Sequence, residues 1–174
     1  EPTTHLDLAS VDALLEARTA GKVRHIGMTG GVDEAIRALE LGGYETVQIP
    51  YNLLSLRAEE RLLALAGEKK AGVIIMRGLA GGKLSSKYRQ LIDRKTKTAI
   101  AGFQQFCGQD DKAESLVHLA LAYILARPEV STVIVGSRRL ETVTANLELA
   151  ERPLSGVLLA QARTYAESLT VKVW

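Results

Sequence analysis

Apolar and polar positions along this chain alternate between two periods. From Leu8 to Lys22, Val11, Leu14, Leu15 and Arg18 fall at helical spacing, with Gly21 placed as a C-terminal stop. A short β-branched run, Val23 to Thr29, then predicts a strand. "DEAIRALELGG" predicts a second helix with Ala35, Ile36 and Leu39 inward and Gly42–Gly43 ending it. "TVQI", Thr46 to Ile49, predicts a strand stopped by Pro50. "RAEERLLALAGEKK" predicts a third helix, and the uninterrupted apolar run Gly72 to Met76 predicts a strand buried on both faces. Residues 77–109 show little periodicity, which in a compact domain marks a functional or disordered loop. "DKAESLVHLALAYILAR" predicts a long amphipathic helix ended before Pro128, "VSTVIV" a strand, "LETVTANLELA" a helix and "SGVLLAQARTYAESL" a last helix.

Helices alternating with strands over short connections imply right-handed crossovers and a parallel α/β sheet. An open sheet covered on both faces and a closed (β/α) barrel both satisfy this pattern. No linker or low-complexity tract divides residues 1–174 into separate domains.

Composition narrows the functional classes. The 174 residues are 47% hydrophobic and 24% charged, an ordinary globular balance. A net charge of +2 and an aromatic content of 5% give no argument for nucleic acid. No apolar run approaches the roughly 18 residues of a membrane span, so no membrane partner is expected. The single cysteine, Cys107, excludes an internal disulfide framework and an all-cysteine metal site, and the expected compartment is the reducing cytoplasm. No Gly-x-Gly-x-x-Gly, Walker A, His-Glu-x-x-His or Gly-x-Ser-x-Gly motif is present, and the three histidines form no evident catalytic pair.

Ligands of parallel α/β proteins sit at the carboxyl ends of the strands. After the last strand, Gly136-Ser137-Arg138-Arg139 leads into a helix. Open backbone N–H groups, the positive helix end and guanidinium groups suit a phosphate. Arg139, Thr142 and Asn146 share one helix face. The same residues also read as a Ser N-cap with solvated arginines. After the first strand, Thr29-Gly30-Gly31 allows close approach of a ligand, or is simply a capped turn. His25, inside that strand, reads as a hydrogen-bonded core histidine rather than a catalyst. Gln48 lies within an apolar strand and needs polar partners; its carboxamide matches another amide, a nicotinamide included. Tyr51 and Asn52 read as turn residues after Pro50. After the third strand, Arg77, Gly78, Gly81 and Gly82 suit a pyrophosphate or form a flexible loop. The basic run Lys83 to Lys97 reads as a solvated face.

Four segments, "AGKVRHIGMTG", "VQIPYNLL", "GVIIMRGLAGGKL" and "VSTVIVGSRRLETVTANL", together resemble the C-terminal half of aldo/keto reductases, in family order and spacing. The resemblance implies four parallel strands alternating with helices plus a C-terminal helix, strands five to eight of a (β/α)8 TIM barrel. It implies NADP(H), in some members NAD(H), bound in extended form. Gly136, Ser137 and Arg138 match the segment that holds the 2′-phosphate, and Thr142 and Asn146 match helix positions at the adenosine end. Gln48 matches the glutamine that binds the nicotinamide carboxamide, and Met76 stands where many members stack a Tyr on the ring. Arg77, Leu79, Gly81 and Gly82 match the loop over the pyrophosphate. The Ser-Asn pair that many members carry after the fifth strand is here Thr29-Gly30, so Thr29 keeps a hydroxyl while Gly30 offers no carboxamide.

Family catalysis uses a Tyr, a Lys, an Asp and a His from the first four strands. None of the four is assigned in this sequence, so no catalytic residue is named, and His5 follows no strand pattern. The expectation is a fragment of a longer reductase, from an incomplete reading frame or a deliberate truncation, inactive alone and partnered by a missing N-terminal half barrel. The intact protein is expected to reduce an aldehyde or ketone carbonyl by hydride transfer. Two alternatives stand beside it: a cofactor-binding regulatory or interaction module without turnover, and a fragment of a sugar-phosphate-binding (β/α) barrel enzyme. Tyr88 and Phe103 are candidate wall residues of a lid.

Overall fold

Four parallel strands, β1 (Gly27–Thr29), β2 (Thr46–Pro50), β3 (Gly72–Met76) and β4 (Val130–Val133), form one sheet whose spatial order follows the chain, β1-β2-β3-β4. The computed structural model describes residues 8–85 and 93–170. Its helices are α1 (Leu8–Thr19), α2 (Val32–Leu41), α3 (Leu62–Lys69), α4 (Arg94–Phe103), α5 (Leu116–Leu125), α6 (Leu140–Ala150) and α7 (Gly156–Glu167). Tyr88 and His5 lie outside the described residues, as do residues 86–92 of the basic run from Lys83 to Lys97.

The sheet has two unequal faces. Val47, Ile49, Val73 and Ile75 are fully buried under the helices. The alternate residues, Thr46, Gln48, Pro50, Gly72, Ile74 and Met76, are only half-buried. β3 is therefore not buried on both faces as its apolar run suggests. The register places Thr29 beside Gln48, Gln48 beside Ile74 and Ile74 beside Thr132, so these four form one row across the half-open face. β1 and β4 are the edges of this sheet.

The covered side is one apolar cluster to which α2, α3, α4, α5 and α7 contribute. Helix α2 presents Ala35, Ala38 and Leu39 at i, i+3, i+4 spacing. Asp33 and Glu34 in its first turn complement the helix dipole, and Gly42 ends it at φ +86°. Helix α5 is buried along nearly its whole length and is capped by Ser115, whose hydroxyl accepts from the His118 N–H. Helix α6 is different, since it buries no residue. It is clasped at its C-terminal end by His118, buried in α5, whose Nε2 meets the Arg152 carbonyl at 2.7 Å.

Four expectations change. β1 spans three residues, not seven, and His25 precedes it with its side chain 71% exposed, paired to Glu45 at 2.5 Å. Among the described residues no strand lies beyond β1 to cover this edge, and Val23 and His25 are exposed. The predicted third helix divides into a 3-10 turn, Arg57–Glu59, and α3. The described part of segment 77–109 is not all irregular: it contains α4, capped by Asp93. Phe103 is fully buried, edge-on to Tyr165 at 4.8 Å between ring centroids, so it belongs to the core and lines no lid. No described helix is long and apolar enough to cross a membrane, and no three described His, Cys, Asp or Glu side chains group to hold a metal ion.

Candidate functional site

The carboxyl ends of β1, β2 and β3 open onto a cleft of about 470 Å³. Gly30 and Gly31 after β1, Pro50 and Ser55 after β2, and Met76 and Arg77 at the end of β3 line it, together with the start of α2 and Arg57. Parallel strands in register bring these loops side by side, and Gly30 is tied back by donating its N–H to the Gln48 carbonyl at 3.2 Å. On the adjacent face Gln48 directs Nε2 toward Met76 Sδ at 3.9 Å, a weak contact to a sulfur acceptor. This is the partner that the position of Gln48 within an apolar strand called for. It leaves the carboxamide oxygen without a described protein donor.

The turn after β3 gathers four left-handed residues within six positions. Arg77 (φ +56°), Ala80 (φ +51°), Gly81 (φ +67°) and Gly82 (φ +90°) all occupy the left-handed region. For Arg77 and Ala80 that conformation costs roughly 1–2 kcal/mol each, so the surroundings must enforce it. Three features do. Gly78 has no room for a side chain, because a Cβ there would lie 2.8 Å from Val133 and 3.0 Å from Ile124. The Arg77 carbonyl accepts from Ala80 N at 2.7 Å. It also accepts from Asn52 Nδ2 at 3.1 Å. Leu79 tucks against the core while Arg77 stays exposed at the cleft.

A second group lies one strand further on. Gly136, Ser137, Arg138 and Thr142 are exposed and Asn146 is half-buried. Ser137 is not the cap of α6. Arg139 occupies that position without a side-chain cap, and the Ser137 hydroxyl instead accepts from Arg139 N at 3.1 Å in a tight local turn. Arg139 pairs with Glu141 at 3.6 Å. β4 neighbours β3, so the Gly136–Arg139 segment and the Arg77–Gly82 turn leave adjacent strand ends. The arrangement is thus bipartite. Met76, Arg77 and the residues after β1 share the cleft, whereas the α6 group lies outside its lining.

Two features escaped sequence reading. Asn52 is fully buried and not merely a turn residue: its Oδ1 accepts from Leu54 N at 2.9 Å while Nδ2 reaches Arg77. An Asn two residues past the end of a strand was the available signal. Glu59, with 5% of its side chain exposed, accepts from the hydroxyls of Tyr51 (2.5 Å) and Tyr123 (2.6 Å) and pairs with Arg163 at 2.8 Å. Burial, reinforced by this carboxylate, pushes both tyrosine pKa values well above their ordinary range, and the Glu59 charge raises that of Arg163. Nothing local in the sequence marks this network.

The model of the aldo/keto reductase family matches residues 1–163. The chain is 26% identical over 148 residues to Aldo-keto reductase YhdN of Bacillus subtilis, covering 75% of this chain and 45% of that protein. It is 26% identical over 180 residues to Protein tas of Escherichia coli, covering 88% and 51%. It is similar in structure to the aldo-keto reductase AKR11C1 from Bacillus halodurans. The apo form superposes with a TM-score of 0.75 at 22% identity, covering 97% of this chain and 59% of that one. The holo form gives 0.73 at 23%, covering 92% and 55%. The chain spans about half the length of the curated relatives it matches.

Proposed function

We infer, since this chain belongs to the aldo/keto reductase family, that it supplies the cofactor-binding half of an NADP(H)-dependent oxidoreductase acting on an aldehyde or ketone carbonyl. Residues 1–174 would form one partial domain, completed by an N-terminal half barrel that carries the proton donor.

The observation that carries this reading is the pairing of two strand-end features. Gln48 and Met76 meet on the half-open face beside a glycine-containing turn that presents Arg77. On the neighbouring strand end, exposed Arg138 and Thr142 accompany half-buried Asn146. An extended dinucleotide has an amide at one end, a pyrophosphate in the middle and a phosphorylated ribose at the other, and the residues fit that sequence of groups. When bound, the nicotinamide would supply the hydride. The chain's own residues would hold its surroundings. Gln48 Oε1 would accept from the carboxamide N–H, and Thr29, beside Gln48 in the register, would add a hydroxyl. The Met76 side chain would pack against the ring in place of an aromatic one. Arg77 with Leu79, Gly81 and Gly82 would bracket the pyrophosphate. Gly136, Ser137 and Arg138 would receive the 2′-phosphate through backbone N–H groups and a guanidinium. Fixing the cofactor by both ends places its reactive carbon at reacting distance from a carbonyl.

Titrating the purified chain with NADPH, with NADH as control, tests this reading. Saturable binding that favours NADPH supports it. A folded chain that binds neither, and still binds neither when combined with a related N-terminal half, removes it. The rival reading, a cofactor-binding module without turnover, is separated by assaying carbonyl reduction in the protein completed by its N-terminal half.

A further inference from the structure

Arg77 is aimed by its backbone, and that backbone is held from outside its own turn. Its left-handed φ of +56° turns the carbonyl inward, where Ala80 N and Asn52 Nδ2 both donate to it. Asn52 is the residue that can perform this task. It is fully buried, so its carboxamide competes with no solvent. The loop after β2 locks it from two directions. Oδ1 accepts from Leu54 N at 2.9 Å, and the backbone of Asn52 exchanges hydrogen bonds with Ser55 at 2.8 and 3.3 Å. The acceptor side of the amide is thereby committed within its own turn, which leaves the donor side to point across to the next loop. Two strand-end loops that both reach the cleft are cross-braced by this side chain.

We propose that Asn52 is a positioning residue of this site: its carboxamide fixes the Arg77 carbonyl, holds Arg77 in the left-handed conformation and so sets the guanidinium at the cleft for an anionic group. The proposal rests on the cofactor reading above only in naming that group as a pyrophosphate. Asn52 touches no ligand and acts entirely through Arg77.

The test uses the full chain and two variants. Asn52→Asp keeps the acceptor for Leu54 N and sets an oxygen against the Arg77 carbonyl. Asn52→Ala removes both bonds without adding a charge. Two probes, ADP-ribose and 2′-AMP, are titrated in parallel, and cleavage by trypsin after Arg77 is timed against the other basic residues. The expected result is ADP-ribose binding weakened about tenfold in both variants, 2′-AMP binding unchanged, and cleavage accelerated selectively at the Arg77–Gly78 bond. In an Arg77→Ala background, Asn52→Ala should add nothing to the loss of ADP-ribose. Unchanged ADP-ribose affinity overturns the proposal, as does cleavage that accelerates equally at every site, which would assign Asn52 to general stability. If the unmutated chain binds neither probe but the variants are still cut selectively after Arg77, the brace stands and the cofactor reading fails.

Discussion

Gly102 lies directly against the hydroxyl of Tyr165: a Cβ built on Gly102 would stand 1.8 Å from that oxygen and 2.2 Å from the ring carbon bearing it. This is where α7 crosses α4. The Tyr165 hydroxyl donates to the Ala99 carbonyl at 3.0 Å, and its ring meets Phe103 edge-on. Gly102→Ala sets two effects in opposition. Alanine within a helix gains about 1 kcal/mol over glycine. Overpacking against a ring that is hydrogen-bonded and held edge-on to Phe103 costs about 1–3 kcal/mol. With an overlap this deep, the steric cost wins. Gly102→Ala should lower the denaturation midpoint, while Gly156→Ala, with open space around it, should leave stability within about 0.5 kcal/mol.

The Glu59 network joins the turn after β2 to α5 and α7, and its members should not act independently. Tyr51→Phe and Tyr123→Phe each remove one donor and leave Glu59 the other, so each should cost about 1 kcal/mol. Glu59→Ala strands two buried hydroxyls at once and should cost about 2–5 kcal/mol by chemical denaturation, more than the two tyrosine variants together. The sign with pH follows from the tyrosines. Their folded pKa values are raised by burial above the ordinary 10.0. The stabilisation is whole below that value and is lost as pH rises and the unfolded chain ionises first. Stability should therefore fall above about pH 10, and the double Tyr→Phe variant should flatten that fall.

Acid should act at the opposite end of the sheet. Glu45 sits where β2 begins, held by His25 Nδ1 at 2.5 Å and Arg18 Nη1 at 2.8 Å. The hydrogen bond from His25, then that from Arg18, pulls its carboxyl below the ordinary 4.5. A depressed carboxylate contributes stability that is present above its unfolded value and is lost as pH falls through its folded one. Glu45→Gln should remove part of the acid sensitivity below about pH 4.5 and change little at neutral pH, because the group is exposed. An acid-unfolding curve unchanged by the substitution would show that this cluster carries no linkage.

The strands and most helices were legible because β-branched runs and i, i+3, i+4 spacing are local signals. Thr46–Pro50 and Gly72–Met76 appear nearly as the pattern marks them. The failures share a cause, which is dependence on distant partners. Val23–Ile26 begins and ends on a β-branched residue, yet among the described residues no strand covers that edge, and β1 starts only at Gly27. In "RKTKTAIAGF" the apolar positions Ala99, Ile100 and Phe103 are sparse among basic residues, and they become a helix face only once Tyr165 and α7 dock on them. Glu59 finds Tyr123 across 64 residues of sequence. At the candidate site Arg77, Gly81 and Gly82 were marked by their place after a strand, and Met76 and Leu79 only by the family resemblance. The left-handed Arg77 and its brace by Asn52 were not, because both depend on two loops meeting in space.

Arg138 offers the sharpest test of the cofactor reading. It is exposed at the head of α6, a helix that buries none of its own residues. Replacing it should therefore leave the fold intact, and Arg138→Ala should leave the thermal midpoint near that of the unmutated chain. The guanidinium would meet the 2′-phosphate, a group that NADPH carries and NADH lacks. Losing a charged hydrogen bond of this kind weakens binding by about 1.5–3 kcal/mol, roughly 10- to 150-fold. NADPH affinity should fall by that factor while NADH affinity stays nearly level. An equal loss for both cofactors would mean that Arg138 contacts a group common to them, and the 2′-phosphate assignment of Gly136, Ser137 and Arg138 would then have to move to other residues.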